Sequence, residues 1–235
     1  MSNFKTCFTF IIGLLGSLAV TFAQTPNKLT SKEKQNGWRL LFDGQTFDGW
    51  KRLKDSGWII KKGQLIAQES LRSKQRDIIT TDQFENFELS IEFKTSKLTN
   101  SGIKYLVTNT IKGYEGSYLG LEYQILDDIN FKYPERGEYR SLASLYDLIP
   151  ADKKEFISIG KWNVAKIIVN GNHIEHWLNG KKVVEYDRST GSFRTLVENS
   201  KYKNMENFGK VKSGHILLQN EGAAVAFRSI KIKLL

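Results

Sequence analysis

The sequence contains a single cysteine, Cys7, and it lies within an N-terminal apolar run. Residues 24–235 therefore have neither disulfides nor thiolate chemistry. No Gly-x-Ser-x-Gly elbow is present, so a serine triad cannot be argued. No glycine-rich loop leads from a strand into a helix, which argues against nucleotide binding. Net charge is +10, but Lys32, Lys34, Lys61, Lys62, Lys153, Lys154, Lys181 and Lys182 are scattered. No basic arm or nucleic-acid motif emerges from them, and nucleic acid is not an expected partner. Repeats, low-complexity tracts and an internal domain boundary are also lacking. The histidine pair His173 and His176 is three apart, which on a strand sends the two rings to opposite faces and argues against a histidine metal site.

The first 23 residues read as a secretory signal peptide. Lys5 is their only charge, Cys7 to Val20 is apolar, and Thr21-Phe22-Ala23 offers small residues before Gln24. The apolar run is short for a bilayer span, which needs about 20 residues. The expectation is export to a periplasm or the exterior, with no transmembrane segment once the signal is cleaved. Residues 24–36 read as a flexible lead-in and 37–235 as one domain, long enough to bury a core without staples.

The stretch Gly120-Leu-Glu-Tyr-Gln-Ile-Leu-Asp-Asp128 organises the rest. Strand alternation puts Leu121, Tyr123 and Ile125 on one face and Glu122 and Gln124 on the other, roughly 6.6 Å apart. A carboxylate and an amide side by side, followed by Asp127 and Asp128, is an arrangement that grips a polyhydroxylated ligand. The competing reading is a solvated outer face. Oxygen ligands from Glu122, Asp127 and Asp128 suit a divalent cation, so a metal cofactor is an open possibility, with solvated acids as the alternative.

Asn170-Gly171 and Asn179-Gly180 are two-residue hairpin signals between alternating runs, giving a three-stranded meander over 163–169, 172–178 and 181–186. A hairpin turns at Lys62-Gly63, and strands are expected over 84–93, from Gly102 onward, over 141–147, and on either side of Asn220-Glu221-Gly222. Phe193, Leu196, Val197 and Tyr202 have helical spacing, which predicts one short helix near 192–205. Together these describe an all-β sandwich. Within it His176 shares a face with Ile174 and Leu178 and should point inward, as a satisfied core histidine or as a proton carrier in a cleft. Trp50, Trp58, Trp162 and Trp177 are candidates for stacking on sugars or for core packing.

Several motifs occur in one order: Phe42-Asp-Gly-Gln-Thr-Phe-Asp-Gly-Trp50, Asn100-Ser-Gly-Ile103, the 120–128 stretch, Ser144-Leu-Tyr-Asp147, Glu175-His-Trp-Leu-Asn-Gly180, and Leu218-Gln-Asn-Glu-Gly222. In that order the chain resembles the 3-keto-disaccharide hydrolase family. The resemblance implies a concanavalin A-like jelly roll of two antiparallel sheets, a saccharide or keto-glycoside ligand, and cleavage of glycosides oxidised at C3. It carries Glu122, Gln124 and Asp127 onto the family's central strand, His176 onto its His-Trp hairpin and Tyr146 onto its Tyr-Asp strand. Glu122 or His176 is then the expected base, with Lys104 or Arg140 as the cation for developing negative charge. Glu221 stands where the family commonly has histidine, so it is either a substitute catalytic group or the mark of a non-catalytic sugar-binding module. The Glu-x-Asp-x-x-Glu strand of laminarinase-type glucanases is missing.

Overall fold

The computed structural model describes residues 25–54, 57–69, 76–131 and 137–235. The expected signal peptide lies outside these residues, and no helix among them is long and apolar enough to cross a membrane.

Two antiparallel sheets face one another. The larger has eight strands: β1 (Trp38–Leu40), β3 (Trp58–Lys61), β4 (Gln64–Ala67), β6 (Phe87–Thr95), β9 (Asn163–Asn170), β10 (His173–Leu178), β11 (Lys181–Asp187) and β13 (Val225–Leu234), ordered β11-β10-β9-β6-β13-β4-β3, with β1 paired to the far half of β13. The smaller has five: β2 (Trp50–Arg52), β5 (Ile78–Thr80), β7 (Asn100–Thr108), β8 (Leu119–Leu126) and β12 (His215–Leu218), ordered β2-β5-β12-β7-β8. The all-β jelly-roll sandwich expected from the sequence is therefore the architecture. Alternation builds the core directly: Phe87, Leu89, Ile91 and Phe93 of β6 and Ile103, Tyr105, Leu121, Tyr123 and Ile125 of β7 and β8 are all buried in one cluster.

Three details depart from the sequence reading. The lead-in is structured: Ser31–Gln35 form helix α1, closed by a capping box between Thr30 and Glu33. Asn27 anchors it to a bulge in β13, accepting from Ser229 N at 2.8 Å and donating to Gly63 O at 2.8 Å. The second helix, α2, spans only Gly191–Glu198, capped by Thr190. Tyr202, counted toward its apolar stripe, instead stacks on Phe208 in the turns that follow, with centroids 3.8 Å apart.

Residues 141–147 do not form a strand. They lie along the open edge of β8, where Ala143 N donates to Gln124 O at 2.8 Å and Tyr146 N to Glu122 O at 3.0 Å. Positive φ angles at Ala143 (65°) and Asp147 (66°) turn the chain before a ladder can extend. The segment thus covers an otherwise unpaired edge and delivers Tyr146 beside Glu122.

Candidate active site

The outer face of the small sheet is not a wet face. Glu122 (5 % exposed), Gln124 (1 %) and Lys104 (9 %) are all buried on it. Register explains the grouping: in the antiparallel pair β7–β8, Lys104 stands opposite Glu122 and Gly102 opposite Gln124. The 108–118 loop, the 141–149 segment and the turns after α2 overhang this face. They enclose a cleft of about 570 Å³, whose polar lining includes Asp77, Asn100, Lys104, Glu122, Tyr146 and Glu221. That volume is in the range of small-ligand sites.

Glycine at position 102 creates room for the central carboxylate. A Cβ there would lie 2.3 Å from Glu122 Oε1 and 3.0 Å from its Cγ and Cδ. Glu122 therefore leans across β7 over a strand with no side chain at that point. Its Oε2 sits 4.0 Å from Lys104 Nζ. The Gln124 amide, oriented to satisfy both its ends, donates to Ser101 O at 3.2 Å and to Glu122 Oε1 at 3.3 Å. The opposite orientation reaches Asn100 Oδ1 at 3.1 Å but turns the Gln124 oxygen toward acceptors only.

Electrostatics in the cleft follow from burial and company. Desolvation raises the Glu122 pKa above the ordinary carboxylate value, the carboxylates of Asp77 and Glu221 add to the rise, and Lys104 and Lys201 oppose it. Asp77 is also raised, by burial first and by Glu221, although it accepts from Asn220 N at 3.0 Å. Burial works against the Lys104 ammonium most strongly of any single influence, but Glu122, Asp77 and Glu221 together outweigh it and raise its pKa. Glu221 sits in the lining, held by Gln219 Nε2 at 2.9 Å.

Of the residues nominated from sequence, Glu122, Lys104, Gln124, Tyr146 and Glu221 meet in this cleft. His176, Asp127 and Arg140 do not line it. His176 is fully buried between the sheets, with Nε2 2.8 Å from Tyr105 Oη and Nδ1 3.1 Å from Ala143 O. Its pKa is lowered to about 4, because burial disfavours the imidazolium more than the Ala143 carbonyl supports it. The core-histidine alternative is the one the geometry favours. Asp127 organises a loop: it accepts from the backbone N–H groups of Leu98, Ile129 and Asn130 and from the Asn130 side chain. Arg140 is committed to Asp147 through Nε and Nη2, both at 2.8 Å.

The oxygen ligands proposed for a divalent cation do not converge. Asp128 takes Leu142 N and Lys154 Nζ, Asp127 takes its loop amides, and Glu122 faces Lys104. Among the described residues the group of ligand atoms close enough for a metal is His173, Glu175 and Glu185, on the outer face of the other sheet, where Lys182 bridges the two glutamates. The tryptophans do not line the cleft either. Trp50 and Trp58 are in the core, while Trp162 and Trp177 lie under Arg228 and Lys166 at 4.1 Å. The aromatic lining is Tyr114, Tyr118 and Tyr146. Sequence reasoning missed Asp77, Asn100 and Lys201. Asn100 carried a signal, since it precedes Gly102 by two and shares its face; the other two arrive from elements remote in sequence.

The chain matches known proteins over most of its length. Residues 37–233 match the family described as the 3-keto-alpha-glucoside-1,2-lyase-like domain. A Bacteroides thetaiotaomicron protein named 3-keto-disaccharide hydrolase is 35% identical over 229 residues, covering 85% of this chain and 79% of that protein. Two solved Parabacteroides distasonis structures, described as candidate glycosyl hydrolases, superpose with TM-scores of 0.79 and 0.67 at 26% and 28% identity. They cover 90% and 85% of this chain and 100% of each of theirs.

Proposed function

Because the chain belongs to the 3-keto-disaccharide hydrolase family, we propose that it cleaves 3-keto-glycosides by removing the C2 proton, with Glu122 as the base. The observation that carries this reading is a carboxylate buried beside Lys104 on the floor of a cleft of about 570 Å³, its pKa raised by burial. A raised pKa brings a carboxylate closer to the operating pH and makes it a stronger base than a solvated one.

The chemistry balances as an elimination. The C3 ketone acidifies the C2–H bond. Glu122 takes the proton, the C2–H electron pair becomes the C2=C3 bond, and the carbonyl pair moves onto the C3 oxygen. When the ketone re-forms, the C2=C3 pair becomes C1=C2 and the bond from C1 to the glycosidic oxygen breaks. The leaving oxygen receives the proton from Glu122, which restores the carboxylate. Water adds to the unsaturated keto-sugar afterwards. Gln124 steadies the Glu122 carboxylate through its amide, and Asn100 and Tyr146 line the cleft that the sugar would enter. Lys104 keeps Glu122 ionised while the cleft is desolvated.

The test is release of a chromogenic leaving group from a 3-keto-glucoside, run beside the unoxidised glucoside, with and without chelator, for the parent protein and Glu122→Gln. Release from the keto form alone, lost in Glu122→Gln, is the expected result. Saturable sugar binding without release from either substrate overturns it and makes the protein a binding module, the reading that glutamate at position 221 would favour.

A further inference from the structure

Proton removal from C2 leaves negative charge on the C3 oxygen, and a group in the cleft must receive it. Lys104 and Arg140 were the cations expected from sequence. Lys104 is buried facing Glu122 at 4.0 Å, with Asp77 and Glu221 adding to the negative field around it, and Arg140 gives both Nε and Nη2 to Asp147 Oδ1, outside the lining. A third cation is placed differently. Lys201 lines the cleft with Glu122, Tyr146 and Glu221. Its ammonium makes no hydrogen bond or ion pair among the described residues. It lies instead 4.2 Å from the centre of the Tyr146 ring and 5.0 Å from that of Tyr202.

Its mount is rigid. Lys201 N donates to Asp147 Oδ2 at 3.0 Å, and Asp147 is itself 1 % exposed and clamped by Arg140. The next residue, Tyr202, is buried and stacked on Phe208. A cation whose backbone is fixed on both sides, with its N–H donors uncommitted, is a preorganised site for developing charge.

We propose that Lys201 is a catalytic residue whose ammonium hydrogen-bonds the C3 oxygen as it becomes an enolate, so that the cleft selects sugars with a carbonyl at C3. This deepens the function proposed above and rests on it. No covalent bond to lysine forms: the ammonium keeps its proton, shares it with the oxygen while C2 is carbanionic, and is released when the ketone returns. The surroundings agree with this role. Removal from water lowers the Lys201 pKa, with Lys104 and Arg140 adding to the effect and Glu122 and Asp147 opposing it. A more acidic ammonium is a better donor to an enolate oxygen. The residue lines the cleft, so an entering sugar meets it.

The experiment separates proton removal from bond cleavage. A 3-keto-1,5-anhydro sugar has the C2–H and the ketone but no leaving group, and exchange of its C2 hydrogen in deuterated water is followed by NMR. Lys201→Met keeps the aliphatic stem over the tyrosines and removes the charge. Exchange and keto-glucoside kcat should both fall by about 10²–10³-fold, the cost of removing one donor to an oxyanion, with KM changed far less. Lys201→Arg should restore part of the rate and move the alkaline limb of the rate profile upward, because guanidinium deprotonates at higher pH. Exchange in Lys201→Met within about threefold of the parent, or a rise in KM alone, overturns the assignment. So does an alkaline limb unmoved in Lys201→Arg, or a sugar adduct on Lys201 after borohydride reduction. A parent protein that neither exchanges nor cleaves overturns the proposed function itself, and the role of Lys201 with it.

Discussion

Gly102→Ala isolates the position of one carboxylate from its chemistry. The added methyl carbon would lie 2.3 Å from Glu122 Oε1, and the carboxylate must retreat by roughly 1 Å to reach ordinary van der Waals distance. The backbone at Gly102 does not have positive φ, so alanine is not refused on conformational grounds. Alanine in a strand interior gains about 0.5–1 kcal/mol over glycine from the unfolded chain. Overpacking next to Glu122 costs about 1–3 kcal/mol. The second outweighs or matches the first, so stability should fall by about 0–2.5 kcal/mol. The catalytic effect is larger. Displacing a reacting group by about 1 Å costs on the order of 100-fold, equivalent to about 2.7 kcal/mol of barrier. The assay is kcat on a chromogenic 3-keto-glucoside, with thermal melts at the same pH. Gly191→Ala is the control, because nothing lies within 4 Å of a Cβ at Gly191 and it stands at the start of α2. Full activity in Gly102→Ala, within about threefold of the parent, would refute the claim that Glu122 must lie over a bare strand to act as the base.

Further outcomes follow from the same distances. Glu221→Gln removes a carboxylate that raises the Glu122 pKa, so the acid limb of the pH–rate profile should move to lower pH; a limb that stays or rises contradicts the electrostatic account. His176 is neutral and buried, with its pKa lowered to about 4, so the unfolded chain takes up a proton below about pH 6.5 that the folded chain refuses. Stability should therefore decline between about pH 6.5 and 4, by about 3 kcal/mol from this residue alone. Urea midpoints measured across that interval should fall more steeply for the parent than for His176→Gln; parallel curves would show that His176 is not the group responsible. Asp127→Ala strands the amides of Leu98, Ile129 and Asn130 and should cost about 1–3 kcal/mol, seen as a drop of several degrees in the melting temperature. An unchanged melt would mean that Leu98, at a φ of 62°, does not depend on that carboxylate.

Much of this was legible in the sequence because period-two alternation and Asn-Gly turns are local signals. The 163–187 meander, the Lys62-Gly63 hairpin and the inward orientation of His176 all rest on neighbours within a few residues. What failed depended on distant partners. The 141–147 segment has a strand-like pattern but is bent by positive φ at Ala143 and Asp147 and held through side chains to Arg140 and Lys201. Asp127 looks like a ligand at a strand end until the amides around it are located. Asp77 and Lys201 reach the cleft from the residue before β5 and from the turns after α2, and no spacing in the chain links them to Glu122.

The polar stripe on β8 had two readings, and the energetics of burial decide between them. A solvated strand face needs no compensation for its charges. Here Asp77, Lys104 and Glu122 are all at most 9 % exposed, and an ion taken out of water carries a penalty of several kcal/mol even when paired. Replacing such a pair with well-packed apolar residues is often neutral or stabilising, so stability alone gives no reason to keep it. The nearby outer-face residues Ile79, Val107 and Leu217 form an apolar cluster on the same sheet, which shows that this surface accommodates hydrophobic packing a short distance away. Charge retained where hydrocarbon would serve, at 4.0 Å separation rather than in close contact, and opening onto a cleft, is the arrangement that the proposed ligand site requires. The space between Glu122 and Lys201, whose ammonium has no hydrogen-bond partner among the described residues, is where that ligand's C2 and C3 would have to sit, which ties the two strongest variants, Glu122→Gln and Lys201→Met, to one substrate pose: if enolisation is their shared step, each should lower C2 exchange along with cleavage. A variant that loses cleavage but keeps C2 exchange would place its residue on the later bond-breaking step.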